Sequence, residues 1–115
     1  MQYMLFAWAN EAGFQSIPPD QAQAALGAYM AFGDAMRKEK VLVSSNRLRP
    51  VAETTRVQIE GGKTRVLNGP YAETKEQLGG YFLIDVPDLD AALSWAARCP
   101  AASHGFVEVR PVWSM

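Results

Sequence analysis

Near the end of the chain, Phe106-Val107-Glu108-Val109-Arg110 sets a carboxylate and a guanidinium into an otherwise apolar alternation. Period two predicts a strand. If Val107 and Val109 pack inward, Phe106, Glu108 and Arg110 share the opposite face. Charges on an apolar face must pair with each other, pair with a neighbouring loop, or bind something, because an unpartnered charge taken out of water is costly.

A second chemistry-bearing stretch runs from Asn68 to Phe82, where turn formers and charges of both signs lead through Gly79-Gly80 into an apolar strand. Such a segment holds a polar loop against the rim of a sheet. Plainer readings exist for its parts. Asn68-Gly69-Pro70 has the composition of a turn, and Glu73, Lys75 and Glu76 read as a solvated charge cluster on one helical turn. Gly79-Gly80 permits close backbone approach and does not match a phosphate loop, since no G-x-G-x-x-G opens a helix.

The remaining reactive types offer little. His104 reads as an exposed loop residue, and with one histidine and one cysteine in the chain no metal set is expected. Cys99, between a helix and Pro100, reads as a small buried hydrophobe. Trp8, Trp95 and Trp113 are expected as core or interface aromatics. No cofactor fingerprint is found.

These residues need a scaffold. Tyr3 to Trp8 reads as a buried strand that breaks into a loop at Ala9-Asn10-Glu11-Ala12-Gly13. Pro18-Pro19-Asp20 opens a helix to about Glu39, with an apolar stripe at Ala22, Leu26, Tyr29, Met30, Gly33 and Met36. Val41-Leu42-Val43 resumes strand character, and Arg47 to Pro50 is a connection. Thr55 to Glu60 and Lys63 to Leu67 flank Gly61-Gly62, the signature of a tight hairpin; Glu60 then faces Lys63, Gln58 faces Arg65 and Val57 faces Val66. Gly80 to Asp85 is a core strand. Asp88 caps a second helix to about Arg98, buried along Leu89, Ala92, Leu93 and Ala96. Phe106 to Arg110 closes the order.

Strand, helix, strand, hairpin, strand, helix, strand is an α+β arrangement: a ferredoxin-like β-α-β plan with an inserted β-hairpin. Right-handed crossovers put both helices on one sheet face. Tyr3, Leu5 and Ala7 point one way along the first strand and Met4, Phe6 and Trp8 the other; both sets are apolar, so whichever side is left bare is apolar. A soluble chain covers such a surface by self-association, which predicts a homodimer whose sheets enclose a space between them.

Composition agrees with one such domain over 1–115. The chain has 115 residues, 49% hydrophobic and 20% charged, and a net charge of −1. That balance gives no positive field for nucleic acid. No apolar run is long enough for a membrane helix, and the first residues lack the pattern of a signal peptide. With a single cysteine, a cytoplasmic location is expected.

The strand from Met1 to Trp8, the Pro-Pro-initiated helix, Gly61-Gly62-Lys63-Thr64, the run from Asn68 to Pro87 and Val107-Glu108-Val109-Arg110-Pro111 together resemble the YCII-related family, in its DGPF-motif branch. The resemblance spans nearly the whole chain. It implies a dimeric α/β barrel of ferredoxin-like subunits, in a bacterial family whose members mostly have no established activity. The usual Asp-Gly-Pro-Phe stands here as Asn68-Gly69-Pro70-Tyr71, and an amide cannot act as a general base. Some relatives of the wider superfamily use a His-Asp pair to remove a leaving group or isomerise a ring compound; His104 matches no such position. By that resemblance, proton transfer falls to Glu73, Glu108 or Tyr71. Arg110 or Lys75 would hold an anionic substrate, with Asn68 beside it.

Three function classes follow. The first is small-molecule binding, with or without acid/base lyase or isomerase chemistry, in a pocket at the dimer interface. The second, implied by family association alone, is a regulatory protein acting with an extracytoplasmic-function sigma factor. The third is a dimeric scaffold with no ligand.

Overall fold

The computed structural model describes residues 1–69 and 74–114. In chain order the elements are β1 (Gln2–Ala9), α1 (Glu11–Gln15), α2 (Pro19–Lys38), β2 (Leu42–Arg47), a 3-10 turn (Val51–Glu53), β3 (Thr55–Glu60), β4 (Lys63–Asn68), β5 (Gln77–Asp85), α3 (Leu89–Arg98), α4 (Ala101–His104) and β6 (Phe106–Pro111). Four strands form one antiparallel sheet in the order β2-β5-β1-β6. The units β1-α2-β2 and β5-α3-β6 interleave in it, as the ferredoxin-like plan requires. The β3–β4 hairpin forms a separate two-stranded sheet.

The core lies between this sheet and the helices. Tyr3, Leu5 and Ala7 of β1 alternate inward and meet Phe32 and Met36 of α2, Ile84 and Val86, and Ala92 and Ala96 of α3. Phe32 anchors the layer: its ring stands edge-on to Phe82 at 5.0 Å and lies 6.4 Å from Trp95. Val107 and Val109 are partly buried against the same core, which turns Glu108 and Arg110 to the other side, as their alternation predicts.

Several expectations are corrected. The buried stripe of α2 runs through Phe32, Gly33 and Met36, while Leu26 and Met30 are exposed. In α3 the inward residues are Ala92 and Ala96 with Trp95 beside them, and Leu89 and Leu93 face solvent. Each sequence stripe included apolar positions on the flank of the helix; which flank turns inward depends on how the helix sits on the sheet. Residues 11–15 are a short helix rather than a loop, because the Asn10 side chain accepts the Gly13 N–H at 3.2 Å. β2 runs on to Arg47 and β5 begins at Gln77. His104 ends α4 instead of sitting in a loop. Trp113 is 89% exposed, so it is no core residue.

The hairpin has the expected register, with Glu60 opposite Lys63, Gln58 opposite Arg65 and Val57 opposite Val66. Gly61 and Gly62 take φ of 55° and 76° at its tip, values that favour glycine. Two other glycines matter for close approach. A Cβ on Gly80 would lie 2.8 Å from the Asn46 carbonyl oxygen, and one on Gly105 would collide with the Trp8 carbonyl. Gly105 thereby lets β6 close onto the end of β1.

Candidate functional site

The sheet face opposite the helices is open. Its middle row reads Asn46, Tyr81, Phe6 and Glu108 across the four strands, and the next row reads Ser44, Leu83, Met4 and Arg110. The Asn46 amide donates to the Tyr81 hydroxyl at 2.8 Å. Glu108 and Arg110 are exposed, and among the described residues neither forms an ion pair. They do not neutralise each other across this face. At the end of the same face Trp8 stacks on Phe106, ring centres 5.8 Å apart at 17°. The Trp8 Nε1 is buried and has no acceptor among the described residues. A buried N–H of this kind is uncommon, since nearly all such groups find a partner.

A cleft of about 380 Å³ opens at the rim beyond β1, between the α1 turn, the 3-10 turn and the approach to β5. Its polar wall is built by local bonds. The Glu11 N–H donates to Gln77 Oε1 at 2.9 Å, Gln77 Nε2 donates to the Thr74 carbonyl at 2.6 Å, and the Glu11 carboxylate accepts the Val51 N–H at 3.0 Å. Lys75 lines the cleft beside Thr74 and Gln77. Residues 74–76 are not helical, so Lys75 and Glu76 share no helical turn.

The sequence-predicted residues thus fall in different places. Glu108 and Arg110 share the open face, Lys75 lies in the rim cleft, and Asn68 ends β4 opposite Thr55. Gly69, at φ 84°, continues from Asn68 as a turn and donates its N–H to the Thr54 carbonyl at 2.6 Å. Tyr71 and Glu73 lie outside the described residues. Sequence reasoning missed Glu11 and Gln77, whose partners are distant in the chain. It also missed the Trp8 indole N–H, for which no signal exists at the level of residue type.

Two groups on the helix side are held protonated. Burial pushes the Tyr29 phenol up to about 12, reinforced by nearby Cys99 and opposed by Arg47. Burial likewise raises the Cys99 thiol, which makes it a poor nucleophile. Among the described residues no three His, Cys, Asp or Glu side chains gather as a metal set, and no helix there is long and apolar enough to cross a membrane.

The fold resembles that of 5-chloro-2-hydroxyhydroquinone dehydrochlorinase (TftG) from Burkholderia phenoliruptrix AC1100, solved with 2,5-dihydroxybenzoquinone, at TM-score 0.57 and 11% identity over 99% of this chain and 94% of that one. At that identity the likeness is one of fold. In sequence, an uncharacterized protein of Rhizobium meliloti (strain 1021) is 46% identical over 68 residues, 57% of this chain and 55% of that protein's length. The match therefore spans little more than half of this relative. The model of the YCII-related domain covers residues 1–115. With the whole length matched, the chain belongs to the YCII-related domain family.

Proposed function

We propose that the chain binds a small, oxygen-rich anionic molecule on the open sheet face, in a space closed when two copies set these faces together. The observation that carries this reading is the pair Glu108 and Arg110, exposed beside Phe6 and Met4 and without ion-pair partners among the described residues. Arg110 offers a planar, permanently charged fork for a carboxylate or enolate. Glu108 offers a proton acceptor two residues away, and the Trp8–Phe106 stack gives a flat apolar wall with an N–H that no described residue accepts. That set suits a planar ring carrying ionised oxygens.

Acid/base lyase or isomerase chemistry is the reaction class these groups can support. Glu108 would take a proton while Arg110 holds the negative charge that develops on the ring oxygen. Tyr71 and Glu73 remain candidate proton carriers, with Asn68 and Lys75 as candidate binding groups. TftG was solved with a dihydroxybenzoquinone, which supplies a sensible probe.

The test is an amide NMR titration of the labelled protein with 2,5-dihydroxybenzoquinone and with pooled small carboxylates and lactones, on wild type and Arg110→Ala. Saturable shifts at Phe6, Trp8, Glu108 and Arg110 that vanish in the variant are expected. Shifts unaffected by Arg110→Ala remove the site assignment, and a silent titration favours a regulatory partner, such as the sigma-factor association, or a scaffold.

A further inference from the structure

The β3–β4 hairpin has no place in the core of its own chain. It pairs with no strand of the main sheet, and along β3 and β4 every residue is exposed except Leu67. Its two faces nevertheless differ. Register puts Thr55, Val57, Ile59, Thr64, Val66 and Asn68 on one side and Arg56, Gln58, Glu60, Lys63, Arg65 and Leu67 on the other. Val57, Ile59 and Val66 stand 61%, 67% and 60% exposed. An isolated two-stranded hairpin is marginal in water, and a β-branched stripe is what gives such a ribbon a surface to pack.

The molecule's shape says where the ribbon goes. The chain measures 47 × 45 × 19 Å, a slab whose thin dimension is only enough for one sheet and one helix layer. The ribbon therefore extends within the slab and does not fold back over its own open face. The radius of gyration is 16.1 Å, against about 13 Å for a compact domain of this length. The ribbon is rooted at the β2 corner, where Leu48 N–H donates to the Gly79 carbonyl at 2.8 Å and Gly69 N–H closes the hairpin base on Thr54.

We infer that the β3–β4 ribbon is an arm for a second copy of this chain, laying its Val57, Ile59 and Val66 side against the flank of that copy. The inference rests on the pairing of open faces proposed above and adds a distinct contact to it. Area argues for this occupant. Four strands at ~4.8 Å spacing, some six residues long at ~3.3 Å each, outline a face of roughly 400 Å², about half of the ~800 Å² that each partner of a stable complex buries. The arm's side adds roughly 200 Å² by the same dimensions, and a two-fold pairing counts it on both copies. An arm projecting past the edge of its own sheet leaves that sheet's open face clear and keeps its apolar side free for the second copy.

Sedimentation equilibrium on wild type, Val57→Lys/Ile59→Lys and Phe6→Lys tests it, with each variant's melting curve confirming the fold. The arm variant is expected to keep its monomer fold and to dissociate at least about tenfold more readily, since two charges replace packed aliphatics. In wild type, hydrogen exchange at Val57, Ile59 and Val66 is expected to slow as protein concentration rises. If the arm variant dimerises as tightly as wild type while Phe6→Lys falls apart, the arm is overturned and the face pairing stands. A monomeric wild type overturns both, and open-ended association beyond two copies overturns the arm as a two-fold device.

Discussion

The Glu11 carboxylate reaches across the rim to the Val51 N–H, its two oxygens at 3.0 and 3.3 Å. One side chain from the α1 turn thereby satisfies the first amide of the 3-10 turn, 40 residues further along. The same residue holds Gln77 through its backbone N–H, so Glu11 fastens three segments of chain around the cleft.

Glu11→Ala should lower stability by about 1–2 kcal/mol, the usual cost of leaving a partly buried amide without its acceptor. Glu11→Gln keeps an acceptor oxygen and should recover much of the loss. Urea unfolding of the three proteins distinguishes a capping role from mere surface charge: equal stability of Ala and wild type would deny it.

Gly105→Ala should be severe. Its Cβ would meet the Trp8 carbonyl oxygen, which as backbone cannot swing aside, and overpacking of that kind costs about 1–3 kcal/mol or more. Gly79→Ala is the control, since its Cβ would rest at an ordinary 3.8 Å from the Ala7 carbonyl. Thermal melts should show a clear drop for the first and little change for the second.

Phe32→Ala should cost about 3–5 kcal/mol, because the ring is buried between Phe82 and Trp95. Leu26→Ala, on the same helix but 46% exposed, should stay within about 0.5 kcal/mol. Comparable losses at both positions would mean that α2 packs along a different stripe.

Tyr29 makes stability fall in alkali. Folded, its phenol keeps its proton to about pH 12, whereas the ordinary value is 10.0. The unfolded chain therefore ionises first, and the contribution is complete below pH 10 and lost as the pH rises through the folded value. The loss is about 1–2 kcal/mol, since the phenol keeps some contact with solvent. Tyr29→Phe should flatten this part of the profile, read by denaturant midpoints between pH 9 and 12.

Period and punctuation carried much of this fold. Gly61-Gly62 between β-branched runs has the signature of a hairpin, and the alternation through Val107 and Val109 puts Glu108 and Arg110 together on one face of their strand. What stayed hidden depends on distance in the chain. Phe32 and Leu26 are both apolar at helical spacing, and only the seating of α2 on the sheet selects Phe32. The Glu11–Val51 and Glu11–Gln77 bonds join loops that nothing in local composition links. Asn10 caps a helix of only five residues that contains Gly13, too short and too glycine-bearing for its composition to separate it from a loop. That the hairpin stands apart from the sheet is likewise a tertiary fact: its own alternation is the same whether it is covered or bare.

The outer strands of the sheet, β2 and β6, carry a different consequence. β6 ends in Pro111, which has no N–H to give a further strand, and Glu108 and Arg110 flank its approach; β2 ends in Arg47. Strand addition needs a flat row of free donors and tolerates such residues poorly. The sheet is thus blunted at both sides against templated growth, and a crowded solution of this chain should resist fibre formation even though three large β-branched aliphatic side chains, Val57, Ile59 and Val66, stand bare on its hairpin.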